Sequence, residues 1–120
     1  MEDLDAPSDV PEEPEAQSDE SLVQVEVASP DADTLVVTLT GELDLSNVER
    51  IETDIAPQLE SGRQRMIVEA RDLEFADSSA IALWLRWSSQ VEHFELRNLS
   101  PLLRRVLTAM GLEQRLEFGT

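Results

Sequence analysis

The chain has 120 residues, 41% of them apolar, which suits one compact domain with a buried core. It contains no cysteine, which excludes a disulfide framework, a thiolate metal centre and a thiol nucleophile. A formal net charge of −17 opposes nucleic acid or an anionic membrane surface as partner and favours a basic one. Nine of the 26 acidic residues lie in the first 21 positions, so the remaining 17, set against nine arginines, leave the rest of the chain at −8.

Residues Met1 to Ser21 include Pro7, Pro11 and Pro14, no basic residue and almost nothing large and apolar. Such a segment cannot offset its own ordering entropy, and 1–21 is expected to be a disordered acidic tail before a domain over 22–120. It either stays solvated or acts as an arm toward a basic partner surface. No apolar run reaches the ~18 to 20 residues of a membrane-spanning helix, and the acidic N-terminus lacks a secretory signal's pattern. The expectation is a soluble cytoplasmic protein with no direct membrane insertion.

From Leu22, Val23, Val25 and Val27 alternate with Gln24 and Glu26, the period of a half-buried strand. A turn at 31–33 leads to a second strand over Leu35 to Thr40, which Gly41 is expected to close. Ser46 and Glu49 have capping-box spacing before Val48, Ile51, Ile55 and Leu59, predicting a helix from about Asn47 that Pro57 ends or bends near Ile55 or Ala56. Met66, Ile67 and Val68 form a continuous apolar run, as in a central strand covered on both faces.

Asp77, Ser78 and Ser79 then stand before an unusually apolar helix that contains Trp84 and Trp87. Phe94 and Leu96 mark a further strand. Ser100-Pro101 caps a third helix, with Leu103, Val106, Leu107 and Met110 on one face and Gly111 at its end. Leu116 and Phe118 supply a last edge strand. Alternation of this kind predicts an α/β fold, a mixed sheet of four to five strands with three to four helices packed on it.

Little in this pattern points to catalysis. His93 is the only histidine, so no second imidazole shares a metal or a proton with it. Neither Ser78 nor Ser79 sits in a nucleophile elbow, and no glycine-rich loop can cradle a phosphate. No enzymatic activity, metal or cofactor is expected.

The loop Phe75 to Ala80 is the sharpest local feature. A serine or aspartate there caps the helix by accepting hydrogen bonds from its first N–H groups. A phosphate on Ser78 would also be tolerated at a helix N-terminus, while adding about −1.5 to −2 charges beside Asp77 and repelling an acidic or apolar partner surface. Trp84 and Trp87 point in different directions, and they either complete the core or leave at least one ring at a partner contact.

Gly41-Glu42-Leu43-Asp44 after the second strand, followed by Asp77-Ser78-Ser79 before a helix, resembles the STAS family, and most closely its single-domain anti-sigma factor antagonists. The resemblance spans about Leu22 to Phe118 and includes Ser100-Pro101 and Met110-Gly111-Leu112. It implies the STAS fold and phosphorylation of Ser78 by a partner that is both anti-sigma factor and serine kinase, with a serine phosphatase to reset the switch in a partner-switching stress response. It further implies that Asp44 and Ser46 lie in the partner interface, with Asp77 and Ser79 as supporting neighbours of Ser78; Ala80 beside them and Trp84 on the apolar helix complete the expected partner surface. Ala80 departs from the family's usual glycine and adds a methyl group there. A second reading is a constitutive STAS accessory subunit that binds the ATPase of a phospholipid-transport ABC system, without a serine switch.

Overall fold

The computed structural model describes residues 23–119, so the expected tail and Leu22, where the domain was expected to begin, lie outside the described residues. Alternating side chains build the first hairpin, β1 (Val23–Asp31) and β2 (Thr34–Leu43), which pair antiparallel with a register shift between Ala28 and Asp31. Three parallel strands follow: β3 (Arg65–Ala76), β4 (His93–Arg97) and β5 (Glu117–Gly119). The sheet order is β1-β2-β3-β4-β5. Between the parallel strands run α1 (Val48–Glu60), α2 (Ser78–Ser88) and α3 (Pro101–Ala109).

Because each crossover advances the sheet in the same direction, right-handedness puts all three helices on one face. The burial pattern agrees: Leu35, Val37 and Leu39 of β2 are fully enclosed, while Val36, Thr38 and Thr40 are only half-buried. The apolar run of β3 is buried on both faces, as expected of a central strand. Met66 and Val68 face the described helices, while Ile67, on the opposite face and 8% exposed, is flanked in register by Val36 and Glu95.

Two expected breaks do not occur. Gly41 does not close β2; it lies within the strand at φ 101°, beside a register shift at Gly41/Glu42, and pairing continues to Leu43 opposite Ala76. Only glycine adopts that backbone conformation cheaply, so the chain kinks without leaving the sheet. Pro57 does not end α1, which continues to Glu60. An interior proline costs about 3 kcal/mol, but Leu59 beyond it is buried in line with Ile51 and Ile55, a contribution of about 1.5 to 3 kcal/mol. The Gly62 N–H closes the end on the Leu59 carbonyl.

The body of α2 is walled in. Ala80, Ile81, Leu83, Trp84 and Trp87 are all buried, a wider sector than one stripe because α2 packs on α1 as well as on β3 and β4. Trp84 is 0% exposed and Trp87 1%. Both rings complete the core, so Trp84, expected at a partner contact, offers no surface to one. The α3 face is corrected in the opposite sense: only Leu107 is fully buried, Leu103 is half-buried, and Val106 and Met110 are exposed. The ends of α3 follow the sequence signals. The Ser100 hydroxyl accepts the Leu103 N–H, and Gly111 at φ 75° donates to the Thr108 carbonyl while Leu112 donates to that of Leu107.

Candidate functional site

The kink at Gly41 and the pairing of Leu43 with Ala76 bring two loops together where β2 and β3 end. In the first loop the Asp44 carbonyl accepts the N–H groups of Asn47 and Val48, at 3.0 and 2.9 Å. Its carboxylate Oδ1 accepts both the N–H and the hydroxyl of Ser46, at 3.0 and 2.6 Å. Ser46 is therefore not the cap of α1, as its spacing to Glu49 predicts. Asn47 occupies that position without capping through its side chain.

The Asn47 amide instead clamps the loop from inside. It is 1% exposed, its Oδ1 accepts the Asp44 N–H at 3.0 Å, and its Nδ2 donates to the Glu42 carbonyl at 2.9 Å. This residue was not anticipated. The available signal was an asparagine between a turn and a helix, a type that bonds backbone groups locally.

Asp77 ties the second loop to the first. One oxygen accepts from the Ser79 N–H and hydroxyl and from the Ala80 N–H at 3.2 Å; the other accepts the Leu45 N–H at 3.1 Å. The Asp77 N–H reaches back to the Leu43 carbonyl. Burial pushes the Asp77 carboxyl up, but the hydrogen bonds from Ser79, Ala80 and Leu45 outweigh it and hold the group below its ordinary value.

A carboxyl lowered in the folded state stabilises above its unfolded value of about 3.9, and that contribution disappears as pH falls through the folded value. Asp77→Ala should therefore cost about 1 kcal/mol or more at neutral pH, from the lost cap and the freed Leu45 N–H. Urea midpoints of the variant and the parent should draw together as the pH falls through the lowered folded value of this carboxyl. A gap that persists there would remove ionised Asp77 as its source.

Ser78 is the first residue of α2, exposed, and its hydroxyl makes no hydrogen bond among the described residues. The first turn carries no acidic side chain, and at the positive end of the helix dipole the N-cap Asp77 carboxylate takes the Ser79 and Ala80 N–H groups. Ser79 is half-buried with its hydroxyl bound to Asp77. The two adjacent serines thus differ: one hydroxyl is free, the other holds the cap.

Of the residues expected to form one surface, Asp44, Ser46, Asp77, Ser78 and Ser79 do come together, linked through the Leu45 N–H to Asp77 bond. Ala80 is 0% exposed, and its methyl group faces the core. Leu45 and Phe75, which sequence reasoning passed over, stand beside them at 77% and 48% exposure. A cleft of about 410 Å³ lined by Leu45, Ser46, Glu49, Arg50, Thr53 and Asp54 continues the surface along α1. The expected surface position of His93 agrees with its exposure.

The model of a family described as Mlab, STAS domain, matches residues 27–117. The chain belongs to the STAS domain family. No curated protein matches it. Among solved STAS structures, that of the anti-sigma factor antagonist SpoIIAA in its unphosphorylated form is 29% identical, with a TM-score of 0.70 over 81% of this chain and 89% of that one. The Bacillus cell fate determinant SpoIIAA in the phosphorylated form is 28% identical, with a TM-score of 0.66 over 81% and 92%. An anti-sigma factor antagonist from Mycobacterium paratuberculosis shares the fold at 18% identity, with a TM-score of 0.74 over 84% and 86%. The five-stranded mixed sheet with three helices is thus the STAS fold. Among the described residues no helix is long and apolar enough to cross a membrane.

Proposed function

We propose that this STAS domain is an anti-sigma factor antagonist: it binds an anti-sigma factor that is also a serine kinase, and phosphorylation of Ser78 releases it. The observation that carries the reading is the free, exposed Ser78 hydroxyl at the mouth of α2, beside a neighbour whose own hydroxyl is committed to Asp77. The likeness to SpoIIAA, solved in both unphosphorylated and phosphorylated forms, supports it.

In this reading Asp44, Ser46 and Leu45 form the adjoining contact surface, with Asp77 and Ser79 positioning the Ser78 backbone. Ala80 supports the loop from the core side; its enclosed methyl group leaves the approach to Ser78 open where glycine is usual. A phosphate there meets the helix dipole, so the domain keeps its fold, while a partner surface pressed against the loop must desolvate the new charge. Unphosphorylated protein holds the anti-sigma factor and frees sigma for transcription in the cytoplasm. A serine phosphatase restores that state.

The test is intact-mass analysis of the protein incubated with ATP and each candidate anti-sigma kinase, beside Ser78→Ala. One added phosphate, absent from the variant, is the expected result. The family description, Mlab, supports a second reading in which the same surface binds the ATPase of a phospholipid-transport ABC system constitutively. No modification by any kinase, together with recovery of such an ATPase, would replace the first reading with the second.

A further inference from the structure

Three of the exposed large apolar side chains belong to α3 and its cap: Leu102 at 64%, Val106 at 39% and Met110 at 54%. They recur every four residues and form one stripe along the outer side of the helix. The core takes Leu107 from an adjacent sector, so the apolar arc of α3 is wider than its buried part.

Charge singles out the same face. The helix contains Arg104 and Arg105 and no acidic residue, and Arg115 follows its end; all three are exposed. Residues 101–115 thus hold three arginines and one glutamate, in a chain whose net charge is −17. Arg104 lies over the Phe118 ring, 5.2 Å from its centroid, which fixes one guanidinium at the border of the stripe.

The complementary chemistry lies within the chain. Residues 1–22 contain nine carboxylates and no basic residue, with Leu4, Val10 and Leu22 among them. Val23 pairs with Gly41, so this segment joins the domain at the end of the sheet where β2 and β3 finish. Because α3 follows β4, which runs parallel to β3, its first turn with Leu102 stands at that same end. Four strand spacings of about 4.8 Å separate the edges of the sheet, roughly 20 Å, whereas 22 extended residues reach about 70 Å.

We propose that the outer face of α3 is the docking site of the chain's own acidic segment, residues 1–22, bound in cis through the Leu102, Val106 and Met110 stripe and its flanking arginines. Tethering supplies an effective concentration in the millimolar range, so a contact too weak to hold a free peptide is sufficient. The docked segment covers apolar surface and brings carboxylates to the end of the molecule that carries Ser78. It requires no partner protein and stands apart from the kinase switch.

The absence of cysteine permits a clean test on the full chain. A nitroxide attached through Ser8→Cys should broaden the amide signals of Leu102, Val106 and Met110, leave Ala32 at the far end of the hairpin sharp, and lose this effect at about 1 M salt, where the screening length is about 3 Å. Adding Arg105→Ser and Val106→Ser, both at exposed positions, should restore the α3 signals without altering the rest of the spectrum. Broadening confined to the surroundings of Val23 and Gly41 would overturn the proposal. So would broadening of α3 that arises only when isotope-labelled protein without nitroxide is mixed with spin-labelled protein, since the occupant would then be a second copy.

Discussion

Truncating Trp84 to alanine should lower the stability of the domain by about 3 to 5 kcal/mol. The ring is fully enclosed within α2, in the core formed with β3 and β4, and its indole N–H has no partner among the described residues, so it contributes through volume and apolar area alone. Domains of this size are stable by only about 5 to 15 kcal/mol in total, so the variant stands near the threshold of folding. Urea denaturation followed by circular dichroism measures the change. A loss below about 1 kcal/mol would mean that the ring is not packed as described. Loss of partner binding in this variant would then report unfolding and not a missing contact. Trp84→Phe, which keeps most of the volume, should retain binding.

The second large effect concerns Ser78. Because its hydroxyl is exposed and makes no hydrogen bond among the described residues, Ser78→Ala should change stability by no more than about 0.5 kcal/mol. If the domain is the proposed antagonist, the same variant should bind its anti-sigma partner about as well as the parent. Ser78→Asp places a carboxylate where the partner must desolvate it, at a cost of about 2 to 5 kcal/mol, or roughly 30-fold to several thousand-fold in affinity. Calorimetric titration with the proposed anti-sigma kinase separates the cases. Equal affinities for the alanine and aspartate variants would remove charge at this position from the switch.

Much of the architecture was readable because its causes are local. The alternation from Val23 to Leu39, the caps at Asp77 and Ser100, and the Gly111 stop each depend on a few neighbouring residues, and each appears where its chemistry predicts. The misjudged positions depend on distant parts of the chain. Pro57 reads as a break until Leu59 is seen to be buried by the sheet, and Gly41 reads as a terminus until β3 is found to pair beyond it. For α3, periodicity reported an apolar face but not how much of that face the core would take.

The candidate site divides in the same way. Ser78, Asp77 and Asp44 carried a recognisable local pattern, and the structure brings their loops together. The Asn47 clamp did not: its importance comes from being buried between two turns, which one polar residue in a polar stretch does not advertise. Trp84 was ambiguous because a wide apolar helix can be wide for packing or for binding. Contact of α2 with both α1 and the sheet decides for packing.

The register shift between Ala28 and Asp31 bears on how this protein avoids its own copies. β1 is an outer strand, and a long flat edge would offer unpaired backbone groups to another chain and seed aggregation. Here the irregularity twists the end of that edge, Pro30 removes one donor, and Glu26 puts a charge at its middle. The opposite edge, β5, is only three residues long. With like charge on every copy, neither border of the five strands among the described residues offers a template.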